Sequence, residues 1–202
     1  MAGRQLLLVD SLDIEAGELV VVAGDAGTGK TLLSAALCGA QNASGSVLLS
    51  GKQLSGPPSR RRTAGLAATL RDGTRITGCN VDEALAVATR DPHRRRRALE
   101  HFPALAGRRT LPAQLLSGGE QQMLQIACAW CAGAPVLVLD SPTVGLTADV
   151  AAAVAELAQQ EAEGGAAVVW LEQDSRAQPT QPVHRLREGR LGPVTAAVPP
   201  PA

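Results

Sequence analysis

The stretch Leu19-Val20-Val21-Val22-Ala23-Gly24-Asp25-Ala26-Gly27-Thr28-Gly29-Lys30-Thr31 decides how the chain folds. Its first five residues form an apolar run after Gly17, which predicts a buried strand. Lys30 to Cys38 (KTLLSAALC) is rich in Leu and Ala and predicts a helix. Between them, Gly24, Gly29, Lys30 and Thr31 satisfy G-x-x-x-x-G-K-[ST], placed after a strand and opening a helix as a phosphate-binding loop must be. Glycines let the backbone amides of Gly24, Asp25, Ala26, Gly27, Thr28 and Gly29 turn inward around phosphate oxygens. The helix start, running on into Leu32, adds partial positive charge. Lys30 is placed to reach the outer phosphates, and Thr31 to ligate magnesium.

A glycine-rich turn with a solvent-facing lysine is the plainer reading of the same letters. Composition weighs against it. The chain carries 19 lysines and arginines in total, of which only Lys30 and Lys52 are lysine, and one of those two occupies the motif position. A compact ammonium fits among phosphates inside a tight loop better than a planar guanidinium does.

Further along, Val47–Ser50 predicts a short strand closed by Gly51, residues 53–59 (QLSGPPS) a turn, and residues 65–70 another short strand. Val81–Thr89 and Arg94–His101 predict helices, the second bracketed by Pro92 and Pro103. Residues 72–115 are expected to form a small helical lobe. Ser117–Cys131 predicts a helix, Val136–Leu139 a strand ending on Asp140, Ala148–Glu163 a helix stopped by Gly164-Gly165, and Ala166–Leu171 a buried strand. Alternating strands and helices imply a parallel sheet covered by helices. Residues 1–192 are expected to be one domain, and 193–202 (PVTAAVPPPA) a flexible tail.

Bulk properties limit the possible partners. The chain has 202 residues, 45% hydrophobic but only 1% aromatic, so its core is built from Ala, Val and Leu. Net charge is zero, so no global field draws it to nucleic acid. Arg60–Arg62, Arg94–Arg97 and Arg108-Arg109 are expected to be solvated faces. Nothing approaches the roughly 18 consecutive apolar residues of a membrane helix. The start of the chain lacks a secretion signal, so a cytoplasmic location with reduced cysteines is expected. Cys128 and Cys131 share one helix face without a second ligand pair, and read as small buried residues.

Between the phosphate loop and the strand ending on Asp140 stands Leu116-Ser117-Gly118-Gly119-Glu120-Gln121. With this set in this order, the sequence from Val9 to Gly192 resembles the ATP-binding subunits of ABC transporters, whose signature is LSGGQ or LSGGE. Residues 101–109 (HFPALAGRR), 116–124 (LSGGEQQML) and 170–174 (WLEQD) are most similar to the branched-chain amino-acid importers' ATPase subunits. The resemblance implies an α/β P-loop NTPase with a parallel-sheet core, small antiparallel strands and an inserted helical lobe. It implies ATP and Mg2+ as ligands, with Thr31 and, through water, Asp140 at the metal. It also implies a head-to-tail dimer with a second ABC ATPase subunit, in which Ser117, Gly118, Gly119 and Glu120 meet the partner's nucleotide. Transmembrane permease subunits would hold the pair at the cytoplasmic face of the membrane.

Several positions depart from the family. Ser141 stands where a water-polarising glutamate follows the aspartate, and a hydroxyl is not a base at neutral pH. Gln173 stands at the switch-histidine position, as the branched-chain subgroup also has it. The glutamine of the Q-loop is missing near Thr69, Leu70 and Arg71, and Thr147 replaces an aspartate. Residues 1–23 hold no aromatic on which adenine would stack. An in-frame extension ahead of Met1 carrying a Tyr or Phe would supply that platform and the first antiparallel strands. Two functional classes follow: an ATPase subunit driving a permease, possibly for amino acids, or a non-hydrolysing module paired with a competent ATPase.

Overall fold

The computed structural model describes residues 7–69, 75–173 and 183–195. Its elements are β1 (Leu19–Ala23), α1 (Lys30–Cys38), β2 (Leu48–Leu49), β3 (Lys52–Gln53), α2 (Pro58–Thr63), β4 (Leu66–Thr69), α3 (Val81–Ala88), α4 (Pro92–His101), α5 (Pro103–Ala106), α6 (Gly118–Cys131), β5 (Val136–Asp140), α7 (Ala148–Glu163), β6 (Ala167–Glu172), β7 (Val183–Arg187) and β8 (Arg190–Thr195). The apolar runs form one sheet in the order β4-β5-β6-β1-β7-β8. Its pairs are parallel except that β8 returns antiparallel on β7. The carboxyl ends of β5, β6 and β1 therefore lie side by side along one edge, where open parallel sheets place their ligands.

Strand alternation sorts the core into two faces. Leu137, Leu139, Val168 and Trp170 pack with Leu124 of α6 and Leu157 of α7. Val22, Val138, Val169 and Leu171 pack on the other side with Leu33 and Cys38 of α1. Helices on both faces bury the parallel strands and explain their uninterrupted Val and Leu runs.

The structure corrects several expectations. Residues 53–59 are not simply a turn. Ser50 (φ 49) and Gly51 (φ 75) make a two-residue reversal that pairs β2 with β3, and α2 starts at Pro58, whose fixed φ suits a first helical position. Residues 193–195 of the expected tail belong to β8, held by pairing with β7 after a turn at Glu188 (φ 48) and Gly189 (φ 74). Residues 196–202 lie outside the described residues, as do Leu70 and Arg71 of the Q-loop region and residues 72–74 of the helical lobe. The rest of that lobe holds α3, α4 and α5.

The arginine clusters are more than solvated faces. Arg61 Nη1 donates to the carbonyls of Ala36 and Leu37 and closes the end of α1. Arg94 and Arg97 place their guanidinium carbons 5.3 and 5.5 Å from the Trp130 ring centre, and Arg94 also donates to the Trp130 carbonyl. Arg109 donates to both carboxylate oxygens of Asp82. In a chain with so few aromatics, arginine stems and planes cover the one indole between α4 and α6.

Burial pushes the thiols of Cys38, Cys128 and Cys131 up to about 12 from an ordinary 9.0. They are unreactive at neutral pH. The folded state keeps protons that the unfolded state releases above pH 9, so their contribution to stability is complete below that pH and is lost as pH rises toward 12. With no tyrosine and two lysines, few other groups mask this limb. Urea midpoints are expected to fall between pH 8 and pH 10.5, and the fall to shrink in Cys128→Ala. An unchanged midpoint across that range would refute it.

Candidate functional site

β1 delivers Gly24 to the carboxyl edge of the sheet, and the loop 24–29 turns back into α1. Gly27 (φ 81) and Gly29 (φ 107) hold left-handed backbone that other residues adopt only under strain. Gly24 is required for a different reason: a Cβ there would collide with the Leu186 carbonyl oxygen of β7 and stand 2.8 Å from Thr28 Oγ1. Lys30 is 5% exposed, and its Nζ turns back over the loop to donate to the carbonyls of Gly24 (2.6 Å) and Asp25 (2.8 Å), with Thr28 Oγ1 at 3.5 Å. The ammonium thus sits inside the loop and not in solvent. No acidic residue and no side-chain cap occupies the first turn of α1, so the positive end of its dipole keeps its attraction for an anion.

Asp140 ends β5 on the face of the sheet that meets α1, and is 1% exposed. Ser34 Oγ lies 2.8 Å from Asp140 Oδ2 and 3.1 Å from the Thr31 carbonyl, which ties the strand end to the first turn of α1. Thr69 Oγ1, at the end of β4, accepts from the Asp140 amide at 3.0 Å. Ser141 is buried in left-handed backbone (φ 51). Its amide donates to the Leu171 carbonyl and its hydroxyl to Asp140 Oδ1 at 3.2 Å. The Ser141 side chain is therefore turned onto the neighbouring carboxylate and supplies no base.

Ser117 caps α6. Its Oγ accepts from the Glu120 amide, and Glu120 Oε2 accepts from the Ser117 amide, a reciprocal capping box. The Ser117 amide and then the Ser117 hydroxyl and Arg108 hold the Glu120 carboxyl below its ordinary range, and Arg108 Nε lies 2.5 Å from it. Glu120 is thus committed to the cap. Among the described residues, a Cβ on Gly118 would meet nothing within 4 Å, so their packing does not demand glycine there. Gln173 follows β6, and its amide donates to Glu172 Oε1 at 2.9 Å.

Four residues that position these groups escaped the reading of the sequence. Ser34 and Thr69 meet Asp140 from distant segments, and Thr143 and Glu172 pair with each other on the opposite face of the sheet. Glu172 alone left a trace, being a single charge at the end of an apolar strand, the pattern that singled out Asp140. The aromatics Phe102, Trp130 and Trp170 are all buried, so none of them offers adenine a surface.

The family model described as "ABC transporter" matches residues 8–144. The chain belongs to the ABC transporter family. The cassette is 34% identical over 173 residues to the high-affinity branched-chain amino acid transport ATP-binding protein BraG of Pseudomonas aeruginosa, covering 82% of this chain and 74% of that protein. It is also 33% identical over 211 residues to the hemin import ATP-binding protein HmuV of Gloeobacter violaceus, at 95% and 76% coverage. With the ribose import ATP-binding protein RbsA 1 of Rubrobacter xylanophilus it shares 35% over 189 residues, yet spans only 38% of that protein. Among solved structures, the ATP-binding subunit of an ABC transporter superposes with a TM-score of 0.83 at 21% identity, covering 97% of this chain and 85% of the other. A dimeric ATP-binding cassette bound to ADP and Pi gives 0.79 at 18% identity, with 93% and 88% covered. Both share the P-loop NTPase fold of this cassette. No helix among its described residues is long and apolar enough to cross a membrane.

Proposed function

We propose that this cassette is the ATP-binding subunit of an ABC transporter that couples nucleotide to substrate movement through a separate membrane permease, with amino-acid import as the substrate class. The observation that carries the reading is the buried Lys30 ammonium turned into the 24–29 loop, with Asp140 tied through Ser34 to the Thr31 carbonyl at the start of the same helix. Gly24 to Leu32 would hold the phosphates. Thr31 and Asp140 present only oxygen donors, a set that suits magnesium, which when bound neutralises phosphate charge. Gly118 and Gly119 would offer their amides to a nucleotide presented by a second ABC subunit, at a helix start that Ser117 and Glu120 hold in place through the cap. The amino-acid reading follows the BraG relative and the Glu172-Gln173 pair, and attachment to a permease would keep the cassette at the cytoplasmic face of the membrane. Titration calorimetry of the whole chain with MgATP tests it: one saturable site is expected, and no heat of binding would sink it.

A second reading has its own observation. Ser141 and Gln173 occupy the two positions closest to the chemistry, and the Ser141 hydroxyl is engaged with Asp140. On that reading the cassette binds ATP without hydrolysing it and lends its intact Ser117–Glu120 cap to a competent partner's site.

A further inference from the structure

Glu172 is a carboxylate with 0% exposure at the end of β6, the strand between β5 and β1. Its Oε2 accepts from the Thr143 hydroxyl at 2.6 Å and the Thr143 amide at 3.4 Å, and its Oε1 from the Gln173 amide at 2.9 Å. Its own carbonyl accepts from the amide of Gly24, the first residue of the phosphate loop, at 3.2 Å. Strand alternation puts Glu172 on the face of Trp170, which packs with α6 and α7, whereas Leu171 packs with α1. Glu172 therefore points away from Lys30 and Asp140 and toward the turn that follows Ser141.

That turn is stiff and reaches α6. Val144 donates to the Ser141 carbonyl and Leu146 to the Thr143 carbonyl. At its far side the Gly145 carbonyl oxygen stands 3.3 Å from where a Cβ on Gly119 would lie, and Leu146 Cδ2 3.8 Å. Hydrogen bonds thus lead from Gly24 through Glu172 and Thr143 into this turn, and close packing of Gly145 and Leu146 on Gly119 carries the path to the Ser117–Glu120 cap.

Resting on the nucleotide reading above, we propose that Glu172 and Thr143 form a positioning clamp, through which nucleotide in the 24–31 loop orders the Gly118 and Gly119 amides of the same chain for a partner's nucleotide. A buried carboxylate with three donors gives the turn one fixed place, so a shift of the β1 and β6 ends is carried into it and not absorbed. Glu172 and Thr143 position other groups and touch no substrate.

Hydrogen exchange of the whole chain, with and without MgATP, tests the clamp. In the wild type, MgATP is expected to slow exchange about tenfold in peptides spanning 117–122 and 141–147. Thr143→Val is expected to keep MgATP affinity within about twofold yet lose that nucleotide-dependent slowing, and Thr143→Ser to restore it. A loss of fold would speed exchange with and without nucleotide alike, so the difference between the two states isolates the clamp. Undiminished slowing in Thr143→Val, or a wild type that binds MgATP without protection at 117–122, overturns the clamp. A wild type that binds no MgATP overturns the nucleotide reading and the clamp with it.

Discussion

Lys30→Ala is expected to weaken MgATP binding by at least about 100-fold, or roughly 2.7 kcal/mol. The side chain does two things at once. Its Nζ donates to the carbonyls of Gly24 and Asp25, and at 5% exposure it is held close to the loop. Removing it deletes the one lysine charge in the loop, and charge-assisted hydrogen bonds contribute about 1.5–3 kcal/mol each. It also leaves two carbonyls, which now face the ammonium, directed at phosphate oxygens of like charge. Lys30→Arg is expected to fail as well, because a planar guanidinium does not fit where a compact ammonium bonds two carbonyls of a tight turn. Titration calorimetry of the two variants, with urea denaturation as the control for folding, checks the prediction. An affinity in Lys30→Ala within threefold of the wild type would move the phosphate site elsewhere.

Ser141→Glu is expected to raise ATP turnover about 10²- to 10⁴-fold, the usual contribution of a positioned general base. That corresponds to about 3 to 5 kcal/mol of barrier. In the wild type the Ser141 hydroxyl is engaged with Asp140 Oδ1, so the position offers nothing able to take a proton from water. The backbone there already holds φ 51 and is pinned by the hydrogen bond from the residue 141 amide to the Leu171 carbonyl, so the new carboxylate leaves the chain where the hydroxyl did. Phosphate release by both proteins, at saturating MgATP, is the measurement. Rapid turnover by the wild type alone would show that hydrolysis does not depend on a base at 141, and would remove the reading of a non-hydrolysing module.

The elements that were legible in the sequence are those whose cause is local. α7 runs from Ala148 to Glu163, ending at the Gly164-Gly165 stop as the sequence predicts. β1, β5 and β6 are unbroken apolar runs buried on both faces, and such runs mark themselves. β7 and β8 carry no such mark. VHRLR and RLGPVT are strands because β1 and each other supply their hydrogen bonds. β2 and β3 are two residues each, and exist through a turn at Ser50-Gly51 that was read only as the end of a strand. The arginine runs were misread for the same reason: their partners, the end of α1 and the Trp130 ring, lie far along the chain.

The candidate site divides along that line too. The loop from Gly24 to Thr31 was fully determined by the sequence, because its parts are contiguous: two glycines at positive φ, a helix start, and a lysine that reaches back six residues to the Gly24 carbonyl. The Ser117–Glu120 cap is local in the same sense, closing over three residues. What surrounds them was decided by the sheet. Parallel register sets Ala23 opposite Glu172 and Asp140 opposite Leu171. Only that pairing brings Ser34 onto Asp140 across 106 residues and Thr69 onto its amide across 71. It also places Thr143 on Glu172 across 29. Phosphate-binding geometry is written in neighbouring residues because backbone amides make it. The seating of the carboxylates depends on side chains from separate strand ends, and those meet only once the sheet has formed.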